Sequence, residues 1–460
     1  WRPPSRSCKF TRARGIRRIP PVERRATTSG AAGGTLAEHR VAGATILCRE
    51  AVADELEQIY AAGGSVYTEV QDQDSSLVLY GRQPLVLVRG EGCRVWDDTG
   101  KEYLDCLAGL AVVNLGHAHP EVAKAAAAQL TQLVHVSNIY YTTPMVELAE
   151  ALVQLSFADR VFFANSGAEV NEGAIKLVRR YSRERFGEGR HRIICMENSF
   201  HGRTLGALSA TGQSKFWQGF DPLLPGFSFV PFNDLEALAN AVDDTVCAVM
   251  LEPIQGEGGV CLPSPDYLKG VRQLCNDKGL LLILDEIQTG LGRTGKLFAH
   301  ENFGITPDVM TLAKALANGL PMGALLATEE VASAFVPGTH ASTFGAGPVV
   351  AAAAKTALGL LSAPEFLAGV RERGAHLFQG LSALQAELLV IKEVRGLGLM
   401  WGMELTQEGT PMVAACRERG LLVNCTQGNV IRLLPPLVIT GQELDAAVTI
   451  LRDAFKAVFP

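Results

Sequence analysis

No uncharged apolar run in the sequence approaches the ~20 residues that cross a bilayer. The longest candidate, Leu104 to Leu115, already contains Asp105. No transmembrane helix and no membrane partner are therefore expected. The ten cysteines never fall as a Cys-x-x-Cys pair. In a chain of 460 residues that scatter reads as reduced, mostly buried thiols, with neither a disulfide framework nor a metal site. An excess of positive charge is missing too. The formal net charge is −6, so no global field gathers nucleic acid.

Acid is scarce at the start. Glu23 is the only acidic residue before Glu38, against Arg2, Arg6, Arg12, Arg14, Arg17, Arg18, Arg24 and Arg25. A Gly/Ala stretch, Gly30 to Gly34, follows. An arginine-rich, acid-poor leader resembles an organelle transit peptide, which predicts the mitochondrial matrix or the chloroplast stroma after cleavage. The competing reading, a basic nucleic-acid arm, finds no support downstream.

From about Tyr80 onward, short apolar runs alternate with helical stretches. Arg160 to Ala164, Ile193 to Met196, Val246 to Leu251, Leu280 to Leu284 and Val309 to Leu312 are predicted strands. Most are apolar throughout, as strands covered on both faces are. Ser166-Gly-Ala-Glu169 is a capping box that opens a helix with Val170, Ala174, Leu177 and Tyr181 on one face. Alternation of this kind predicts an α/β fold, a mostly parallel sheet wrapped by helices. Val394 to Leu405, Leu421 to Asn424 and Val430 to Leu433 are further predicted strands. A second capping box, Thr440-Gly-Gln-Glu443, starts the last helix. Together they predict a smaller α+β domain.

In open α/β sheets, ligands gather beyond the carboxyl ends of the strands. Leu280 to Leu284 ends in Asp285, and Val309 to Leu312 delivers Lys314 to the same edge. A lysine desolvated at an apolar strand end loses basicity and becomes a nucleophile toward aldehydes. A lysine holding an aldehyde, with an aspartate on a ring nitrogen, is the pyridoxal phosphate arrangement. Asn165-Ser-Gly-Ala-Glu169 offers a helix N-terminus to a phosphate. Phe200-His-Gly-Arg203 offers an aromatic face and a carboxylate fork. Taken singly, each residue also has an ordinary structural reading: a helix cap, a solvated lysine, a core phenylalanine, a surface ion pair.

Read together, the segments resemble the class-III aminotransferases, and within them the branch acting on acetylornithine. The matching stretches include Leu79-Tyr-Gly-Arg82, Asn114-Leu-Gly-His-Ala-His-Pro120 and Asn165-Ser-Gly-Ala-Glu-Val-Asn-Glu172. They continue through Phe200-His-Gly-Arg-Thr204, Glu252-Pro-Ile-Gln-Gly-Glu-Gly-Gly259, Asp285-Glu-Ile-Gln-Thr-Gly290, Lys314-Ala-Leu-Ala-Asn-Gly-Leu-Pro321 and Ser342-Thr-Phe344.

The resemblance implies fold type I and a division of the chain. Residues 1–65 would be transit peptide and linker, and 66–125 the N-terminal part of the small domain. Residues 126–345 would form the large cofactor-binding domain and 346–460 the C-terminal small domain. It implies pyridoxal 5'-phosphate held covalently by Lys314, with Asp285 on the pyridine nitrogen and Gln288 at the ring hydroxyl. Phe200 would stack on the ring, Glu286 and Ile287 would complete the contacts, and Gly167 and Ala168 would bind the phosphate. Thr343 would reach the phosphate of a neighbouring subunit, which makes a homodimer the expected assembly. Arg203, with Ser342 nearby, would hold the donor carboxylate. Arg432 would bind the α-carboxylate of 2-oxoglutarate or glutamate, shielded by Glu257 in the other half-reaction.

The implied reaction moves the δ-amino group of N2-acetyl-L-ornithine to 2-oxoglutarate, giving N-acetyl-L-glutamate 5-semialdehyde and L-glutamate, a step of arginine biosynthesis. Ornithine, succinylornithine or 4-aminobutyrate as donor is the nearest alternative. A non-catalytic protein keeping the fold is opposed by the intact Asp285, Lys314 and Phe200.

Two segments depart from the family pattern. Ala346-Gly347 stands where the family usually has Gly-Asn, and Gly173 where it usually has Ala. Gly290-Leu-Gly-Arg-Thr-Gly295 matches a dinucleotide-loop pattern but lacks the following helix and acid. His117 and His119 have no acidic or thiol cluster beside them and are read as structural.

Overall fold

The computed structural model describes residues 81–460, with 77 and 79, and the backbone of 40, 41, 44 and 45. The arginine-rich leader lies outside the described residues. Residues 87–460 form one unit, which holds the three larger sheets, the described helices and the cavity.

Its centre is a seven-stranded sheet. The order across it is Arg160–Ala164, Gly323–Ala327, Val309–Leu312, Leu281–Asp285, Val246–Leu251, Arg192–Met196 and Phe227–Val230. Only Gly323–Ala327 runs against the others. Leu282, Ile283 and Leu284 are fully buried, as strands covered on both faces must be. Each such side chain contributes about 1.5–3 kcal/mol relative to exposure. The predicted strands are present, and Phe227–Val230 and Gly323–Ala327 join them unannounced.

The first capping box forms with one change. Ser166 Oγ accepts from Glu169 N at 3.2 Å, but the Glu169 carboxylate reaches past Ser166 to Asn165 N. The helix Gly167–Phe186 then buries Val170, Ala174 and Leu177. Gly173 sits on that helix where a Cβ would come 3.2 Å from Leu325 and 3.4 Å from His340. The missing methyl makes room for the antiparallel strand. Ala346 holds a left-handed backbone, φ +51°, which glycine would adopt without strain.

The C-terminal part differs in detail from its prediction. Val394 to Leu405 is two strands, Ile391–Leu397 and Met400–Leu405, because the chain turns back at Gly398, φ +60°. Leu421 to Asn424 is divided as well. Leu421–Leu422 pairs parallel with Glu102–Asp105, while Asn424–Thr426 pairs antiparallel with Val430–Leu433. The second capping box is complete. Thr440 Oγ1 accepts from Glu443 N at 3.2 Å, and Glu443 accepts from Thr440 N at 2.9 Å.

Among the described residues no single helix is long and apolar enough to cross a membrane. The eight cysteines described are all free. Gly290 to Gly295 is a run of turns and bends followed by the short 3-10 helix Ala299–Phe303 and not by the α-helix a dinucleotide loop opens. Its Arg293 is fully buried and donates to the carbonyls of Leu399 and Pro435. His117 pairs with Asp105 at 2.7 Å, as a structural histidine does.

Candidate active site

The four segments predicted to carry chemistry converge at the carboxyl ends of the parallel strands. They line a cavity of about 420 Å³ that includes Gly167, Ala168, Phe200, Arg203, Glu257, Asp285, Ile287, Gln288 and Lys314. That is the size of a small-molecule site.

Asp285 ends its strand in register with Thr311 of the next strand, and Lys314 follows three residues later. The chain turns sharply there, so Lys314 itself holds φ +43°. A non-glycine residue in that region costs about 1–2 kcal/mol, and such strain collects at functional sites. Desolvation, helped by the nearby Arg432 charge, brings the Lys314 amine down from 10.5 to about 8 against the pull of Glu257.

Behind the cavity wall lies a buried polar network that the sequence pattern does not reveal. Asn171 Nδ2 donates to Asp285 Oδ2 at 2.8 Å, and His201 Nδ1 meets the same oxygen at 2.8 Å. Thr311 Oγ1 donates to Asn171 Oδ1 at 2.8 Å. The Asp285 carboxylate is thus fixed in orientation. Glu252 accepts from Phe200 N at 2.9 Å and Gly256 N at 3.0 Å, and burial raises its carboxyl to about 7. The available signal was a polar residue inside an apolar run, as in Val309–Leu312, or inside a motif whose other members drew attention first.

Arg432 comes from the antiparallel sheet and is fully buried. Its Nη1 donates to Glu257 at 2.7 Å and to Gln288 Oε1 at 3.3 Å, and its Nε to Asn424 at 3.2 Å. Burial alone would raise the Glu257 carboxyl; the Arg432 charge outweighs it and holds the group below its ordinary value. Arg203, by contrast, is exposed and lies over aromatic rings.

Four expected contacts do not line the cavity: Arg432 touches it only through Glu257 and Gln288, and three others are engaged elsewhere or exposed. Glu286 is fully buried and turned away: its carboxylate accepts from His300 N at 2.8 Å and meets His300 Nδ1 at 2.8 Å, which ties down the following loop. Ser342 Oγ is taken by Gly345 N at 3.1 Å and Asn165 Nδ2 at 3.4 Å. Thr343 is exposed beside it, on the loop that leads into the helix Pro348–Leu361.

The donor set fits pyridoxal phosphate. It combines a nucleophilic amine, an oriented carboxylate and a helix N-terminus. A Cβ on Gly167 would come 2.8 Å from Ile287, so only glycine leaves the backbone open there. Two buried polar atoms of residues at this site, Arg432 Nη2 and His201 Nε2, have no partner among the described residues.

Fold and cavity together define an enzyme that handles amines through an aldehyde cofactor. Residues 78–455 match the family model "Aminotransferase class-III". The acetylornithine aminotransferase of Caldanaerobacter subterraneus subsp. tengcongensis is 51% identical over 380 residues, covering 82% of this chain and 96% of that one. That of Methanocaldococcus jannaschii is 49% identical over 382 residues, covering 83% and 96%. Among solved structures, the ornithine aminotransferase of Toxoplasma gondii ME49 superposes with a TM-score of 0.83 at 34% identity, covering 90% of this chain and 99% of that one. The chain belongs to the class-III aminotransferases, which use pyridoxal phosphate. The organellar location expected from the leader is corrected by these relatives: they are enzymes of a bacterium and an archaeon, which have neither mitochondrial matrix nor chloroplast stroma.

Proposed function

We propose that this enzyme moves the δ-amino group of N2-acetyl-L-ornithine to 2-oxoglutarate, giving N-acetyl-L-glutamate 5-semialdehyde and L-glutamate, within arginine biosynthesis. The observation that carries the reading is the unequal state of the two arginines. Arg432 is engaged by Glu257, while Arg203 has no carboxylate partner among the described residues. A donor entering this cavity therefore meets Arg203 first, by its distal carboxylate, and presents its terminal amine to the interior. Two relatives near 50% identity, both acetylornithine aminotransferases, support the same donor.

When bound, pyridoxal phosphate supplies the aldehyde that accepts an amino group and the ring that stores the electron pair of the breaking C–H bond. The protein supplies the rest. Lys314 Nζ holds the cofactor and then carries the proton removed from the donor's δ-carbon; its pKa of about 8 leaves roughly a tenth of the amine unprotonated at pH 7, far more than an ordinary lysine would have. Asp285, fixed by Asn171 and His201, holds a proton on the ring nitrogen. Phe200 would offer its ring to the cofactor, and the Gly167 and Ala168 amides at the helix N-terminus would hold its phosphate. In the second half-reaction Glu257 swings off Arg432, which then grips the α-carboxylate of 2-oxoglutarate.

The enzyme works as a homodimer in this reading. Ile139, Tyr140, Tyr141 and Phe344 are 78%, 64%, 90% and 65% exposed, an apolar surface suited to a second copy. Thr343 lies beside Phe344, exposed and outside the lining of its own cavity, where it can serve a partner's phosphate site.

A second reading, free ornithine as donor, is favoured by the superposition on the Toxoplasma gondii enzyme. Turnover of N-acetylornithine and ornithine measured side by side separates the two. Faster turnover of N-acetylornithine is expected, and faster turnover of ornithine rejects the proposal.

A further inference from the structure

The guanidinium of Arg203 lies 3.8 Å from the centre of the Phe216 ring and 5.5 Å from that of Phe200. The two rings meet edge to face, with centroids 6.1 Å apart. Phe216 belongs to none of the family motifs, yet it is the nearer of the two faces. From these contacts we infer that Phe216 is a positioning residue for the donor carboxylate: its ring holds the Arg203 guanidinium flat beside Phe200 and so sets the length of donor the cavity accepts. The inference rests on the reading of Arg203 as the carboxylate anchor.

An arginine on an exposed segment carries many rotamers, and a carboxylate that must freeze them loses affinity. An aromatic face under the guanidinium removes much of that loss in advance. The fork edges stay open, because stacking uses the π face and leaves the N–H groups in plane for a carboxylate.

Phe216 is itself well held. It ends the short turn Ser214–Phe216, whose last N–H donates to Gln213 O at 3.0 Å. The buried Gln213 amide donates to the carbonyls of Asn198 and Ser199 at 3.2 and 3.1 Å. Trp217 Nε1 donates to Thr211 O at 2.9 Å on the other side. Gln427 joins this frame to the second carboxylate site: its Nε2 reaches Gln213 Oε1 at 3.4 Å and Glu257 O at 2.6 Å. Lys215 adds a second positive charge 5.1 Å from the same ring.

The test is a double-mutant cycle on the holoenzyme with Phe216→Leu, Arg203→Ala and both together, plus Phe216→Tyr. Phe216→Leu should lower kcat/KM for N-acetylornithine about fivefold, the size of one exposed cation–π contact. The loss should lie in KM, with kcat and the melting temperature retained. Phe216→Tyr should restore KM. With Arg203→Ala already present, Phe216→Leu should cost nothing more. A loss in kcat instead of KM, no loss at all, no rescue by tyrosine, or an undiminished loss in the Arg203→Ala background would each overturn the inference. A wild type that prefers ornithine or 4-aminobutyrate would sink the donor assignment alone. The cycle is then read on that donor, which also carries a distal carboxylate. Arg203→Ala without effect removes the anchor and the role of Phe216 with it.

Discussion

Arg432 and Glu257, 175 residues apart in the chain, meet at 2.7 Å, and of the two only Glu257 lines the cavity. The arginine is fully buried, and its carboxylate partner is the main group offsetting its charge. Arginine desolvated in this way binds whichever carboxylate reaches it, so Glu257 competes directly with a substrate for the same fork. Glu257→Gln keeps a hydrogen-bonding side chain and removes the competing charge. It should lower KM for glutamate by roughly tenfold, the factor equivalent to 1.4 kcal/mol, and make glutamate an inhibitor of the acetylornithine half-reaction. Steady-state kinetics with both donors checks this. An unchanged glutamate KM contradicts the gate.

Arg203→Ala removes a charge-assisted contact of about 1.5–3 kcal/mol. KM for N-acetylornithine should rise by roughly 10- to 150-fold, with kcat much less affected. A variant that keeps its KM and loses kcat would move the carboxylate anchor elsewhere.

Lys314 sets a pH dependence. Its ordinary value of 10.5 falls to about 8 in the folded chain. Only the neutral amine attacks an aldehyde, so uptake of pyridoxal phosphate by the cofactor-free protein should rise about tenfold per pH unit below 8 and level off above it. The folded state also carries the protonated amine at a cost below pH 8. That cost fades as pH rises from 8 toward 10.5, where the unfolded chain binds the extra proton. Lys314→Met should therefore raise the melting temperature of the cofactor-free protein at pH 7. A flat uptake profile, or a variant that melts lower, would contradict the desolvated amine.

Asn171→Ala should act through Asp285 without touching substrate. It removes one of the two donors to Asp285 Oδ2 and leaves Thr311 without its acceptor. A several-fold fall in kcat with KM nearly kept is expected, together with a shifted pH profile. Kinetics at several pH values checks it. Loss confined to KM would place Asn171 in binding instead.

The strand ends and their chemistry were readable because burial on both faces forces uninterrupted apolar runs, and the sheet then aims the residues after each run at one edge. Asp285 and Lys314 stand out for that reason. Glu286 misled, since a carboxylate next to Asp285 in sequence points the opposite way on an extended chain; it serves His300. Gly323–Ala327 carries the same apolar pattern as its neighbours and gives no sign that it runs backward. The hairpin at Gly398 and the strand change at Val423 depend on partners far away in sequence. Asn171, His201 and Thr311 form one network only after three separate elements fold together.

Which lysine holds the cofactor decides the chemistry of the whole site. Borohydride reduction of the holoenzyme fixes the bound cofactor to its lysine, and peptide mass analysis then finds it. The added mass should fall on the peptide containing Lys314, and Lys314→Ala should carry none and show no turnover. Label on any other lysine, or substantial activity in Lys314→Ala, would contradict the assignment.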